Sequence, residues 1–270
     1  MKLWRIWKKR WTDSCADYGG EGMFKKVLTV VLALLCLQSA MCVAADLTNE
    51  QLYNKARKHM ERPESTDIRL LVTFVDSDKN VTWNKTRDKV LLVSFTKDLD
   101  EFPVGRKNVF MRNIWCFSEK ELENWYKDNK DKMGRDRRMR IRQLTGLNPQ
   151  ATEDSFAVFW ANPKDVLRPA NQSNPFVDGM EVHSQAYKDV NQSESKVQGF
   201  DLKRISLEKK QEKNSGRVAT HLGYTFDWST PGRQYGLTEF MVPPFNQGWI
   251  IGTYSFDEYF KYLDEKLGGR

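Results

Sequence analysis

The sequence predicts an α+β fold: a mainly antiparallel sheet with flanking amphipathic helices in a single domain. Three observations carry this. Between residues 220 and 242, two arms of alternating large apolar and polar residues flank Ser229-Thr-Pro-Gly-Arg-Gln234, the pattern of an antiparallel hairpin. Thr48 with Gln51, Ser118 with Glu121 and Ser255 with Glu258 each form a capping box ahead of an apolar stripe, marking three helix starts. Strand-like and helix-like segments neither alternate strictly nor segregate, which argues against a parallel βαβ array.

In chain order, Leu52, Ala56 and Met60 give the first helix its apolar face. Ile68 to Val75 and Lys89 to Phe95 are β-branched apolar runs that predict two strands, and Asn108 to Phe117 predicts a third. Leu122, Trp125 and Tyr126 stripe the next helix, and Arg135 to Thr145 makes another that stops at Gly146. Phe156 to Trp160 is apolar enough for a central strand, and Pro163 starts one helical turn. Residues 168 to 199 are rich in Asn, Gln, Ser, Pro and Gly and predict a long loop, followed by a polar helix from Ile205 to Lys213. In the hairpin, Tyr224, Phe226 and Trp228 share one face while Thr225 and Asp227 share the other, because strand side chains alternate. Trp249 to Thr253 is the last strand, and Phe256, Tyr259, Phe260, Leu263 and Leu267 stripe the last helix.

Residues 1–45 are set apart from this domain. Two lysines after Met23, an apolar run from Val27 to Leu37 and a small-residue end at Val43-Ala44-Ala45 have the form of a secretory signal peptide, with cleavage expected near Ala45. The run is shorter than the roughly 20 residues of a membrane span. Gly19-Gly20-Glu21-Gly22 directly precedes Met23, and codons for that tract are purine-rich in the manner of a ribosome-binding site, so translation is expected to start at Met23. The expected destination is the periplasm or the outside of a bacterial cell, with residues 46–270 as the folded domain and no transmembrane anchor in it.

Removing the leader changes the composition. Of 43 basic and 36 acidic residues, seven and three lie in residues 1–45, which leaves a net charge of +3 and no case for nucleic acid as a partner. Cys15, Cys36 and Cys42 go with the leader, so Cys116 remains alone and the domain holds no internal disulfide.

Met139-Arg-Ile-Arg-Gln-Leu-Thr-Gly-Leu-Asn-Pro149, Phe156-Ala-Val-Phe-Trp160, Asp165-Val-Leu-Arg-Pro169, Leu222-Gly-Tyr-Thr-Phe-Asp-Trp228 and Gly236-Leu-Thr-Glu-Phe240 occur in that order. Across roughly residues 108 to 262 the chain resembles a family of uncharacterised bacterial exported proteins. The resemblance implies export and a single domain, and it brings no activity. Such proteins often carry Cys after the Arg-Pro and another later in the loop, whereas Ala170 stands here, which implies a loop without that tether.

Candidate site residues follow from chemistry. Asp227 and Glu239 lie on facing arms of the hairpin and are the carboxylate pair a hydrolase would use. With Trp228 opposite Tyr235, however, they fall on opposite sides of the sheet. Tyr224, Trp228, Trp160 and Trp249 are candidates for a stacking platform. Arg168, at the mouth of the long loop, is the polar residue expected to serve either function or a structural contact to a carboxylate. Arg135, Arg138 and Arg142 share a helical face that would suit an anionic surface, or else are balanced by Asp128, Asp131 and Asp136. Cys116 matches no cysteine-hydrolase signature, and Asp76-Ser-Asp78-Lys-Asn80 lacks the Gly and Glu that close a calcium loop. His59, His183 and His221 have no ligand spacing, so no metal or cofactor is expected.

The expectation is therefore a non-catalytic exported domain that binds an envelope ligand or partner through Arg168, Tyr224, Asp227, Trp228 and Glu239. The alternative is a hydrolase using the Asp227 and Glu239 carboxylates.

Overall fold

Val90-Leu-Leu-Val-Ser-Phe-Thr96 is buried at every position, so this strand must be covered on both faces and paired on both edges. The computed structural model, which describes residues 47–180, 217–230 and 235–268, places it so. The strand β1 (Val90–Thr96) lies between β3 (Ile114–Ser118) and β4 (Ser155–Ala161), with Val93 opposite Phe117 on one side and Val158 on the other. Beyond β4 come β8 (Gln247–Ser255) and the edge strand β2 (Lys107–Val109). Beyond β3 comes β7 (Phe240–Val242), which gives the order β2-β8-β4-β1-β3-β7. Every pairing is antiparallel, as an α+β sheet of this composition requires.

Period-two alternation sends Leu91, Val93 and Phe95 to one face and Val90 and Leu92 to the other. The first face is covered by α2 (Glu119–Asn129), α3 (Arg137–Leu144) and α4 (Phe256–Gly268). Their stripes, among them Leu122, Tyr126, Ile141, Leu144, Phe256, Tyr259 and Leu263, close that core. Phe156 stacks on Tyr259 with ring centroids 4.2 Å apart. Gly146, in the left-handed region at φ 68°, ends α3, and the Leu147 N–H returns to the Arg142 carbonyl. The second face has no helix on it among the described residues. Val72, Phe74, Phe102, Phe110 and Val166, all from irregular segments, fill it instead.

Three expected elements come out differently. Residues 68–75 are extended but join no ladder: the Val72 N–H goes to Thr238 Oγ1, that of Thr73 to Asp78 Oδ2 and that of Phe74 to the Pro175 carbonyl. The expected strand 108–117 is two strands, β2 and β3, which the turn after Phe110 sends to opposite parts of the sheet. At α2, Ser118 does not cap; its hydroxyl donates to the Asn80 carbonyl, and Glu121 turns inward. The capping box of α1 (Asn49–Met60) forms as expected. The leader, most of the 168–199 loop and the helix expected at 205–213 lie outside the described residues. The elements from Thr48 onward form one compact unit.

The hairpin is a second, two-stranded sheet of β5 (Tyr224–Phe226) and β6 (Tyr235–Thr238). Its register differs from the expected one: Phe226, not Trp228, stands opposite Tyr235, and Tyr224 stands opposite Thr238, with a register shift between. The cause is the approach of β6 to α3. A Cβ on Gly236 would fall inside the radii of Thr225 Oγ1 and the Leu144 carbonyl oxygen, so only glycine lets these backbones meet. Gly236→Ala is expected to lower the unfolding free energy by about 2 kcal/mol in chemical denaturation, with an unchanged denaturant slope. A loss below about 0.5 kcal/mol would mean that the close approach is not required.

Candidate functional site

The hairpin sends its two faces to different neighbours. Tyr224, Phe226 and Trp228 pack with Tyr53, Ala56 and Met60 of α1, Trp228 edge-on to Tyr53. The polar tips are satisfied internally: Tyr224 Oη donates to the Asp67 carbonyl and Trp228 Nε1 to that of Leu147, both at 2.8 Å. Tyr224 and Trp228 have no exposed surface, so these two of the four expected platform aromatics are core rather than groove. Desolvation, with help from Asp67 and Tyr235, pushes the Tyr224 hydroxyl pKa up.

On the opposite face Thr225 donates to the Leu144 carbonyl, and Asp227 meets Arg140 of α3 in a two-pronged pair, Nη1 to Oδ1 at 3.0 Å and Nη2 to Oδ2 at 2.6 Å. Arg140 also lies 4.9 Å over the Trp125 ring, which leaves its fork little freedom. Glu239, between β6 and β7, faces Arg217 at 3.9 Å. The two carboxylates of the hydrolase alternative are thus each engaged with a different arginine. Sequence spacing put them on facing arms; it could not show which cation each would meet.

Arg168 is fully buried. Its guanidinium donates to the carbonyls of Asn174, Val177 and Val72, at 3.0, 2.6 and 2.9 Å. The contact is structural, to main-chain carbonyls rather than to a carboxylate. It pins the start of the loop after β4 to the extended segment at Val72, where the resemblance implied a disulfide in relatives and a looser loop here. Burial lowers the Arg168 pKa to about 10, against the pull of Asp178 and Glu121.

Glu121, unremarkable in the sequence beyond its place in a capping box, is the most consequential buried acid. Its Oε2 accepts the Thr238 N–H at 2.9 Å, and its Oε1 accepts the Thr238 hydroxyl at 3.2 Å. Arg69 approaches Oε1 at 3.4 Å, donates to the Gly236 carbonyl, and lies 5.7 and 5.5 Å from the ring centres of Tyr224 and Tyr235. Desolvation outweighs Arg69 and the Thr238 bonds and raises the carboxyl pKa to about 7. Next to it, Glu119 and Glu123 are buried against Lys266 of α4. Burial opposes ionisation of Glu123, but hydrogen bonds from Lys120 and Lys266 prevail and lower it to about 2.

The expected arginine face is only partly free: Arg138 pairs with Asp257 at 2.9 Å, and Arg142 turns toward the Pro149 carbonyl, while Arg135 is exposed. Asp257 was not among the acids expected to balance it. Cys116 is wholly buried and burial pushes its thiol up, so it is not poised as a thiolate. Asp78 closes a turn through the Thr73 and Asn80 N–H groups. Among the described residues no group of three or more His, Cys, Asp or Glu could hold a metal, and no helix is long and apolar enough to cross a membrane.

The surface that departs most from the rest is at the other end of the large sheet. Phe110 points into the core under β2, so Lys107, Val109 and Met111 point the other way. On β8, Trp249 lies opposite Lys107 on one side and Trp160 on the other, and Gln247 lies opposite Val109. The ladder runs on past both strands: the Phe110 N–H bonds the Asn246 carbonyl and the Phe245 N–H bonds that of Phe110. Phe245 and Met111 are 74% and 73% exposed, Trp249 is 42% and Val109 and Ile251 are about as open as Trp249. Phe245 follows Pro243-Pro244 and adopts φ 68°, an uncommon conformation for a bulky residue. Of the aromatics proposed as a platform, only Trp160 and Trp249 reach this face. Alternation around residues 107–111 and 245–251 was the available signal, but alternation does not say which face is left uncovered.

Searches against protein families, curated proteins and solved structures find no match for this chain.

Asp227→Asn is expected to cost about 3 kcal/mol of unfolding free energy, because it strands the Arg140 guanidinium. Asp227→Asn with Arg140→Met should cost clearly less than the two single changes added; strict additivity would show that the pair does not couple. For Glu121 the raised pKa fixes the sign: its stabilising contribution is complete below the unfolded value of 4.5 and is lost as pH rises through about 7. Between pH 5 and 8 the wild type should lose roughly 3 kcal/mol relative to Glu121→Gln. Parallel stability curves for the two proteins across that range would refute the assignment.

Proposed function

We propose that the chain is an exported protein of the bacterial cell envelope and a non-catalytic binding domain that engages its partner through the exposed face of the β2–β8 ribbon. The observation that carries the binding reading is the set of open apolar side chains along the β2–β8 ribbon, at Val109, Met111, Phe245, Trp249 and Ile251. Contiguous exposed apolar surface of this kind marks interaction sites. Export rests on the signal-peptide pattern of residues 23–45 and on the resemblance to exported proteins. The residues first expected to bind, Arg168, Tyr224, Asp227 and Trp228, are buried, and with Glu239 they hold the hairpin, α3 and the loop in register. No specific observation favours the hydrolase alternative.

The test is fractionation of cells that express the chain. The wild type is expected in the envelope-associated fraction, and the paired change Met111→Ser with Phe245→Ser should release it while leaving thermal stability unchanged, since both side chains face solvent. Equal association of wild type and variant would refute the ribbon as the binding surface.

A further inference from the structure

Building on that reading, we propose that the partner of the β2–β8 ribbon is an anionic lipid surface, into which Met111 and Phe245 insert. Two of the three most exposed large apolar side chains, Met111 and Phe245, stand together where the ladder ends in a turn, at its tip. A tip that projects Phe and Met fits the shapeless interior of an interface better than it fits a groove of fixed contour. The two prolines before Phe245 and its left-handed backbone hold the aromatic ring out into solvent. Trp249, next to Trp160 and further from the tip, stands where an indole would meet the headgroup layer.

Charge supplies the sign of the surface. Arg106 and Lys107 are exposed beside the apolar face, and neither has an ion-pair partner among the described residues. The acid nearest them in sequence, Glu101, is taken up by Arg112, whose Nε reaches both carboxylate oxygens at 2.6 and 2.7 Å. The flank is therefore cationic. A phosphate-bearing surface would find there two cations that no described acid pairs. A second copy fits less well: docking about a two-fold axis would bring both pairs of cations into one interface. The outer edge of β2 is also only three residues long, too short for stable strand addition.

The experiment is binding of the purified chain to vesicles of neutral phosphatidylcholine and to vesicles with about one-third phosphatidylglycerol. Acyl chains brominated near the headgroup serve as a quencher of tryptophan. The wild type is expected to bind the anionic vesicles at least about tenfold more tightly than the neutral ones, with the difference shrinking as salt is added. Met111→Ser with Phe245→Ser should weaken binding about tenfold or more, and Arg106→Glu with Lys107→Glu should erase the preference for anionic lipid. Bromolipid quenching should fall in Trp249→Phe, a readout that places this face, and no other part of the chain, at the membrane. Equal binding to both vesicle types, or quenching unchanged in Trp249→Phe, overturns the proposal. If no vesicle binds, yet the serine variant still leaves the envelope fraction, the binding-domain reading stands and the lipid inference falls to a protein partner. A concentration-dependent dimer that the serine variant dissolves would overturn it in favour of a second copy.

Discussion

The side chain and N–H of Thr238 hold the two sheets together. The chain passes from the small sheet to the large one between β6 and β7, and Thr238 stands at that crossing. Its N–H and hydroxyl both donate to Glu121, and the same hydroxyl oxygen accepts the Val72 N–H. One residue thus ties α2, the hairpin and the extended segment 68–75 into a single arrangement. The cost is a carboxylate held away from water, which explains why its proton affinity is raised although an arginine stands beside it.

Buried charge recurs throughout the domain and follows one logic. Arg168 collects three carbonyls from two irregular segments, Arg140 holds Asp227, and Lys266 meets Glu119 and Glu123. In each case a long cationic side chain secures carbonyls or carboxylates that are held away from water. The second face of the large sheet shows why such devices are needed. It is covered by irregular chain whose N–H and C=O groups must be satisfied one at a time, whereas the first face is covered by helices that satisfy their own.

The same distribution directs attention away from the hairpin as a working surface. Its aromatics, its aspartate and the nearby arginines are occupied in holding the fold, while the β2–β8 ribbon carries apolar side chains that no described residue covers. The two edges of the sheet are treated differently. At β7, Leu167 and Met241 exchange both main-chain hydrogen bonds, so that edge is closed. At β2 the strand is short, is preceded by Arg106 and begins with Lys107, features that discourage strand pairing while leaving the face beside them open.

The sequence by itself determined the α+β class, the strands expected at 89–95, 156–160 and 249–253, the cap of α1, the Ser255–Glu258 contact at the start of α4, the stop at Gly146 and the two-faced hairpin. These are written in local periods of 2 and 3.6 and in turn and cap chemistry, which a single segment carries whole. Tertiary structure alone decided the rest. Residues 68–75 have the composition of a strand, but their N–H groups met Thr238, Asp78 and Pro175 first. Residues 108–117 read as one strand because nothing local says that its halves pair with β8 and with β1. Glu121, Arg168 and Asp227 look like surface or site residues until their partners, 117, 96 and 87 positions away in the chain, are brought beside them. Trp228 and Trp249 are the same residue type in similar alternating runs, and only the placing of the helices buries one and exposes the other. Alternation specifies that a strand has two faces; which face meets the core depends on what the distant chain lays over it.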